Sequence, residues 1–287
     1  MKFILVELHY NLNNLKQITF NTIRRIKNKY YKDTLFKLNY NNEDLKEILI
    51  KLIKDVSLEK TPILINYCLD TVVFLNISLP KMNKYELFKN IDFEIDYLVN
   101  NYKERFDYVV ERISVNKQND FRVTLQNKID NKLLINDYLK DVKIKRIKSI
   151  YNYQIAESVI STYKYKSNTN YIVLYLYEEY LLFNLLNNGK VIEIFKVEIE
   201  KDLLREYTKS YNYQDLININ NQYFKTLAKF INEFSKSRSV EGVILLYSDY
   251  YNEYLQNLIS KELNVAHYTK NTLESTSSAL EELLYEK

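Results

Sequence analysis

Glycine is almost absent from this chain. The 287 residues include only Gly189 and Gly242, whereas average usage of about 7% would give roughly twenty glycines. Loops that cradle phosphate groups need glycine, because other side chains keep the backbone N–H groups away from the ligand. Neither a Walker loop nor a dinucleotide-binding glycine fingerprint occurs in the sequence. The scarcity of glycine therefore excludes the common phosphate-binding loops.

Cysteine, strong net charge and long apolar runs are also lacking. Cys68 is the single cysteine, so an internal disulfide and a cysteine-rich metal site are excluded. The formal charge of +4 does not require a nucleic-acid partner. No apolar run approaches the roughly 20 residues of a membrane span, and Glu7 and His9 interrupt the N-terminal run too early for a signal peptide. We predict a cytosolic protein that binds neither metal nor nucleic acid.

The order of predicted elements indicates two related α/β domains. Hydrophobic residues make up 46% of the chain, enough for a sizeable core. The dipeptide Asn188-Gly189 predicts a tight hairpin in the second half, and the polar stretch KSNTN is the best candidate hinge between the halves. The predicted limits are a first domain over 1–78 and 151–168, an inserted subdomain over 79–150, and a second domain over 169–287.

A capped helix is predicted near the start of the insertion. Asn83 and Glu86 have the spacing of a capping box, in which each side chain satisfies a free backbone N–H group at the helix start. The apolar residues that follow recur at the helical period and are predicted to face inward: Leu87, Phe88, Ile91, Ile95 and Leu98.

Three stretches resemble actin-like assembly proteins. TVVFLNISLPKMNKYELFKNIDFEIDYLV is similar to a strand, Leu-Pro-x-Met turn and acidic helix of PilM, from type IV pilus assembly, and of its type II secretion relative GspL. The residues that carry this match are Leu79, Pro80, Met82, Glu86, Leu87 and Glu94. YIVLYLYEEYLLFNLLNNGK and VEGVILLYSDYYNEYLQNLISKEL resemble a phosphate hairpin and the adenosine-side strand and helix. The resemblance implies an α/β, two-domain actin-like fold, a duplicated ribonuclease H-like unit with a small inserted α+β subdomain.

The resemblance also implies a nucleotide cleft, and in this chain the cleft is degenerate. Actin-like folds clasp the phosphates with two Asp-x-Gly hairpins, where Asp holds Mg²⁺ and Gly admits backbone N–H groups. The residues at the positions corresponding to this site are Glu7, His9, Lys16, Tyr175, Tyr177, Tyr247 and Ser248. Because side chains fill the positions that need glycine, we predict a cleft that is packed shut and binds no cofactor.

The function implied by the resemblance is that of a non-catalytic scaffold at the inner face of the cytoplasmic membrane. It would bind the N-terminal cytoplasmic tail of a PilN-like membrane protein and contact the motor ATPase or a platform protein of the machine. An extended peptide in an apolar groove with edge-strand hydrogen bonds suits this role. The positions predicted to lie nearest this groove are Leu79, Pro80, Met82, Leu87 and Ile91.

A basic stretch, RRIKNKYYK, adds a candidate surface for anionic lipid at the inner membrane. Each basic residue near such a surface contributes about 1 kcal/mol, and the residues concerned are Arg24, Arg25, Lys27, Lys29 and Lys32. Two other functional classes stay open. One is an actin-like ATP-binding protein or ATPase with an atypical nucleotide site, and the other is a basic binding module whose retention on lipid or nucleic acid would depend on salt.

Overall fold

The chain forms two compact units in a computed structural model. One unit contains residues 1–155 and 280–287, and the other contains residues 156–279. The structure describes residues 2–10, 16–40, 47–48, 50–51, 61–68, 72–114, 119–127, 146–161, 169–176, 180–198, 213–246, 261–264, 266–268 and 272–285. The domain limits predicted from the sequence stay predictions.

A five-stranded sheet forms the centre of the first unit, in the order β3-β2-β1-β4-β8. β1, β2 and β3 are antiparallel neighbours, and β4 and β8 continue the sheet in parallel. The strands are β1 (Lys2–Tyr10), β2 (Lys16–Ile26), β3 (Lys29–Tyr40), β4 (Ile63–Cys68) and β8 (Ile147–Tyr151). Consecutive residues of β1 are buried, so side chains on both faces of this central strand are shielded from water.

A three-stranded antiparallel sheet with one long helix is inserted between β4 and β8. Its order is β5-β7-β6, from β5 (Val72–Leu79), β6 (Phe106–Ser114) and β7 (Asn119–Asn127). Helices α1 (Lys84–Leu98) and α2 (Tyr102–Arg105) lie between β5 and β6 in the chain. Ile91 and Ile95 of α1 pack against alternate residues of β5 and β7, such as Ile77 and Val123, to form the core of this subdomain.

The second unit repeats the sheet order of the first. Its five strands run β11-β10-β9-β12-β13, with the first three antiparallel and the last two parallel. They are β9 (Asn170–Leu176), β10 (Tyr180–Asn187), β11 (Lys190–Glu198), β12 (Val240–Leu246) and β13 (Ala266–Tyr268). Helix α4 (Tyr213–Ser237) packs Leu227 and Ile231 onto one face of this sheet, against residues such as Phe183. The repeated topology is evidence of a duplicated α/β fold.

Two more helices join the units in sequence. They are α3 (Asn152–Ser161) and α5 (Thr272–Tyr285), and the boundary between the units falls within both. No helix in the described parts of the chain is both long and apolar enough to cross a membrane.

Several local predictions are confirmed, and two are wrong. The Asn83 side chain accepts a hydrogen bond from the Glu86 backbone N–H at 2.9 Å, as a helix cap should. The Asn188-Gly189 turn joins β10 to β11 with positive φ at both residues, 50° and 73°. Phe88 and Leu98 were expected to face inward, but they are 53% and 52% exposed. Leu98 is the last residue of α1, and Phe88 lies about one turn before Ile91, the first buried residue of the helix. The apolar periodicity of the sequence also predicts helices that begin near 42, 130 and 201, and these segments lie wholly or mostly outside the described residues.

Candidate functional site

The carboxylate of Glu7 is held within the first sheet. Glu7 Oε2 accepts a hydrogen bond from Asn21 Nδ2 at 2.8 Å and lies 3.5 Å from Lys32 Nζ. Asn21 Oδ1 in turn accepts a hydrogen bond from Thr34 Oγ1 at 2.8 Å. The Glu7 and Lys32 side chains are only 13% and 16% exposed. A cation that bound Glu7 Oε2 would therefore have to compete with a largely buried ammonium group.

The other predicted nucleotide-site positions are only partly described. His9 and Lys16 lie on β1 and β2, where they pair with Gln17 and Tyr10. Tyr175 is 6% exposed at the end of β9, with Leu182 and Leu246 as its neighbours on β10 and β12. The remaining predicted positions lie outside the described residues: Tyr177, Tyr247 and Ser248. Within the described residues, no group of three or more acidic, histidine or cysteine side chains is placed to hold a metal ion.

The five residues predicted to bind a partner lie along one border of the inserted subdomain. Leu79 and Ile91 are 7% and 1% exposed and belong to its core. Met82 and Leu87 are half-buried and pack against the edge of that core. Pro80 is exposed, and its carbonyl oxygen accepts a hydrogen bond from Asn119 Nδ2 at 3.1 Å. At this border, buried core residues therefore lie next to apolar side chains that are partly accessible to a partner.

Strand β5 is an edge of the three-stranded sheet. It pairs with β7 on one side, and no other described strand pairs with its opposite side. Helix α1 packs against β5. An open strand edge presents a row of N–H and C=O groups to which another extended chain can pair. The β5 edge and the Met82–Leu87 border together form the candidate site, which we call the β5 groove.

Two tyrosines share the Asp92 carboxylate on the other side of α1. The hydroxyl groups of Tyr102 and Tyr108 donate to Asp92 Oδ1 at 3.2 and 2.7 Å, and Lys103 Nζ lies 3.7 Å from Asp92 Oδ2. Burial, followed by the nearby Asp92 charge, raises the pKa of the Tyr102 phenol. The hydrogen bond to Asp92, followed by burial, raises the pKa of Tyr108. These contacts join α1 and α2 to β6.

We predict that the inserted subdomain loses stability in alkali. An unfolded tyrosine ionises near a pKa of about 10, whereas Tyr102 has a raised pKa in the folded chain. Its contribution to stability is complete below about pH 10 and falls as the pH rises further, because the unfolded state releases the proton first. Urea unfolding should therefore show a midpoint that falls as the pH is raised above about 10. Tyr102→Phe should reduce this slope, and the exposed control Tyr97→Phe should not; equal slopes for the two variants would contradict the prediction.

A buried arginine joins the inserted sheet to helix α3. Arg122 on β7 is 1% exposed and pairs with Glu111 of the neighbouring strand. Its guanidinium lies 5.5 Å from the ring centroids of both Phe74 and Tyr153, and those two rings meet edge to face at 5.0 Å. Sequence reasoning missed this residue. An arginine that alternates with apolar residues along a strand normally lies on the solvent-facing side, and here Tyr153 covers it from outside the inserted sheet.

The predicted basic surface is the hairpin of β2 and β3. Arg24 pairs with Asp33, Arg25 Nη1 lies 3.3 Å from Glu281 Oε1, and Lys32 binds Glu7. Lys27 and Lys29 are exposed beside the turn, and no described residue forms an ion pair with either. Ile26, next to them, is 51% exposed. The hairpin tip therefore combines two exposed ammonium groups with an apolar side chain.

Comparison with solved structures identifies the fold. The sequence matches no protein-family model and no curated protein. A PilM-PilN type IV pilus biogenesis complex is similar with a TM-score of 0.59 and 11% identity, over 99% of each chain. The cytoplasmic domain of EpsL, from the type II secretion system of Vibrio cholerae, gives a TM-score of 0.52 and 9% identity over 97% of this chain and 94% of that one.

A third similar structure is a protein of unknown function from Bacteroides thetaiotaomicron that has the actin-like ATPase fold. Its TM-score is 0.50 at 11% identity, over 99% of this chain and 96% of that one. The predicted α/β fold class is confirmed by these neighbours and by the repeated sheet order. The chain has the actin-like fold, in a form similar to that of the PilM and EpsL structures.

Proposed function

We propose that this protein is a non-catalytic scaffold of a type IV pilus or type II secretion-like assembly platform. The observation that carries the proposal is the β5 groove, where β5 has an edge that no other described strand pairs with, and where Met82 and Leu87 pack against the same core as β5 while staying partly accessible. The similarity over almost the whole chain to a PilM-PilN complex supports the same function. The proposed location is the inner face of the cytoplasmic membrane, with the motor ATPase or a platform protein as a further partner.

The β5 groove suits the cytoplasmic tail of a PilN-like membrane protein. An extended tail would gain affinity by pairing its backbone with β5, and specificity by placing alternate side chains against the Met82–Leu87 border. Leu79 and Ile91 are buried, so they would not contact the tail directly. They would support the site by holding β5 and α1 together. Pro80 would mark the end of the edge available for strand pairing, since it follows the last residue of β5.

The tail should bind with micromolar affinity. A synthetic peptide of the N-terminal cytoplasmic tail is expected to give a dissociation constant near 1 μM, or about −8 kcal/mol, by fluorescence anisotropy. Met82→Ser removes an apolar contact at the border and should weaken binding about tenfold, which corresponds to roughly 1.4 kcal/mol. Thermal unfolding of the variant should match that of the parent, because Met82 lies at the edge of the core.

A substitution on the opposite edge of the same sheet provides the matched control. Val109 on β6 is 51% exposed, and Val109→Ser should leave the affinity for the tail unchanged. Equal weakening by both substitutions would place the tail elsewhere. Absence of binding by the cytoplasmic tails encoded near this gene would count against the scaffold proposal itself.

We also propose that the hairpin tip makes peripheral contact with anionic lipid. Two lysines near a charged surface contribute about 2 kcal/mol together, or roughly 30-fold in partitioning. Lys27→Glu combined with Lys29→Glu should therefore abolish retention on phosphatidylglycerol vesicles in a sedimentation assay. The control variant, Lys229→Glu with Lys236→Glu, changes exposed lysines of α4 and should bind like the parent. Lipid binding that both double variants lose equally would argue against a role for the tip.

A second candidate function is that of an actin-like ATP-binding protein. One observation favours it, since Glu7 keeps a carboxylate on the strand that carries the first phosphate hairpin of actin-like proteins. The Asn21 and Lys32 contacts argue against it, because they already occupy Oε2 of that carboxylate.

A further inference from the structure

Helix α1 has a second face that neither the core nor the β5 groove uses. Tyr85, Phe93 and Tyr97 are 69%, 67% and 78% exposed. Together with Lys89 they recur every four residues along α1, and side chains at this spacing form one row on a helix. Successive residues turn by about 100°, so the row lies roughly opposite the side that Ile91 and Ile95 bury. We call this row the aromatic stripe.

The aromatic stripe has the size and composition of a binding surface. Twelve residues separate its first and last members, which corresponds to about 18 Å at 1.5 Å per residue. Large aromatic side chains are enriched among the residues that dominate binding energy at interfaces. Three rings that are each about two-thirds exposed or more are therefore a substantial unburied apolar surface on one short helix.

The charges around the stripe indicate a cationic occupant. Glu86 and Asp96 are exposed beside it, and α1 contains four acidic residues and two lysines, although the chain as a whole has a formal charge of +4. Lys89 adds one positive charge to the stripe, and its ammonium lies 4.5 Å from the Tyr85 ring centroid. The two exposed carboxylates outnumber this lysine, so the charge beside the rings is net negative and favours a cationic partner.

We propose that the aromatic stripe docks a cationic amphipathic helix of a partner protein. The stripe would take about three turns of such a helix, with apolar side chains against the rings and Lys or Arg residues near Glu86 and Asp96. The site is separate from the β5 groove, because its residues project from another side of α1. The proposal does not rest on the scaffold function.

Peptide selection tests the chemistry of the occupant. A library of random peptides roughly 18 residues long, enough for a marginally stable helix, is selected on the full chain. It is counter-selected on the variant Tyr85→Ser, Phe93→Ser, Tyr97→Ser, whose secondary structure and thermal unfolding are checked against those of the parent. The enriched peptides are expected to be net positive, with apolar residues three and four apart. They should bind the parent at least about tenfold more tightly than the triple variant.

A charge-reversal variant separates the role of the carboxylates from that of the rings. Glu86→Lys with Asp96→Lys keeps the stripe and should weaken the enriched peptides at least about tenfold, whereas Phe230→Ser, at a half-exposed aromatic residue of α4, should have no effect. The proposal is overturned if the enriched peptides are neutral or acidic, if they bind the triple variant equally, or if no peptide is enriched. It is also overturned if the stripe instead mediates self-association or binding to anionic vesicles that the triple variant loses.

Discussion

Arg122→Ala is expected to lower the free energy of unfolding of the first unit by about 3 kcal/mol. The side chain is fully buried, pairs with Glu111, and lies over the rings of Phe74 and Tyr153. Truncation removes both ring contacts and leaves a cavity between β7 and helix α3. The lower end of the usual range for breaking a buried pair applies, because the Glu111 side chain is 36% exposed and water can solvate its charge. Urea unfolding followed by circular dichroism measures the change.

Arg122→Met separates the packing contribution from the charge. Methionine keeps most of the volume and fills irregular apolar gaps, so this variant should lose only about 1 kcal/mol. The exposed residue Arg105 provides the control, since Arg105→Ala should change stability by less than about 0.5 kcal/mol. If Arg122→Met lowers the stability as much as Arg122→Ala does, the charge of Arg122, through Glu111 and the two rings, stabilises the subdomain more than the packing of its side chain does. If Arg122→Ala lowers the free energy of unfolding no more than Arg105→Ala does, Arg122 does not stabilise the contact between β7 and helix α3.

Local signals predicted the parts of the fold that depend on a few adjacent residues. The Asn188-Gly189 turn needs positive φ at two consecutive positions, and the sequence supplies residues that tolerate it. The cap at Asn83 likewise depends on an acceptor three residues before the N–H that it binds. The β2–β3 turn was harder to predict, because Lys27 and Asn28 adopt positive φ without a glycine.

The parts of the site that depend on contacts between residues far apart in sequence could not be predicted. Glu7 was expected at a nucleotide position, but the residues that hold it come from β2 and β3, across the sheet. Strand β8 pairs in parallel with β4 although the whole three-stranded sheet lies between them in sequence. Strand pairing of this kind has no local sequence signature. The exposure of Phe93 and Tyr97 was equally hidden, because the helical period identifies the buried side of α1 and not the function of the other side.

The protein is expected not to bind ATP at millimolar Mg-ATP, even after Tyr175 is truncated. Tyr175 is 6% exposed at the end of β9, where the resemblance to actin-like proteins places a residue of the second phosphate hairpin. Tyr175→Ala removes a buried aromatic ring and should cost about 3 kcal/mol of stability. It should not restore a nucleotide site, because removing one side chain supplies neither a free carboxylate for Mg²⁺ nor glycine N–H donors.

Calorimetry with ATP and ADP on the parent, Tyr175→Ala and Glu7→Gln tests this expectation. Transferring a triphosphate from water to a site without donors costs several kcal/mol, so all three proteins should give no measurable heat of binding. Glu7→Gln should lower the free energy of unfolding, because Lys32 would keep its charge beside a neutral amide. The hydrogen bond from Asn21 would also be weaker, since its acceptor would no longer be charged. A low-micromolar dissociation constant in the parent that Glu7→Gln weakens would overturn the prediction of a nucleotide cleft that is packed shut. Binding that appears only in Tyr175→Ala would show that this one tyrosine is what prevents nucleotide binding in the parent.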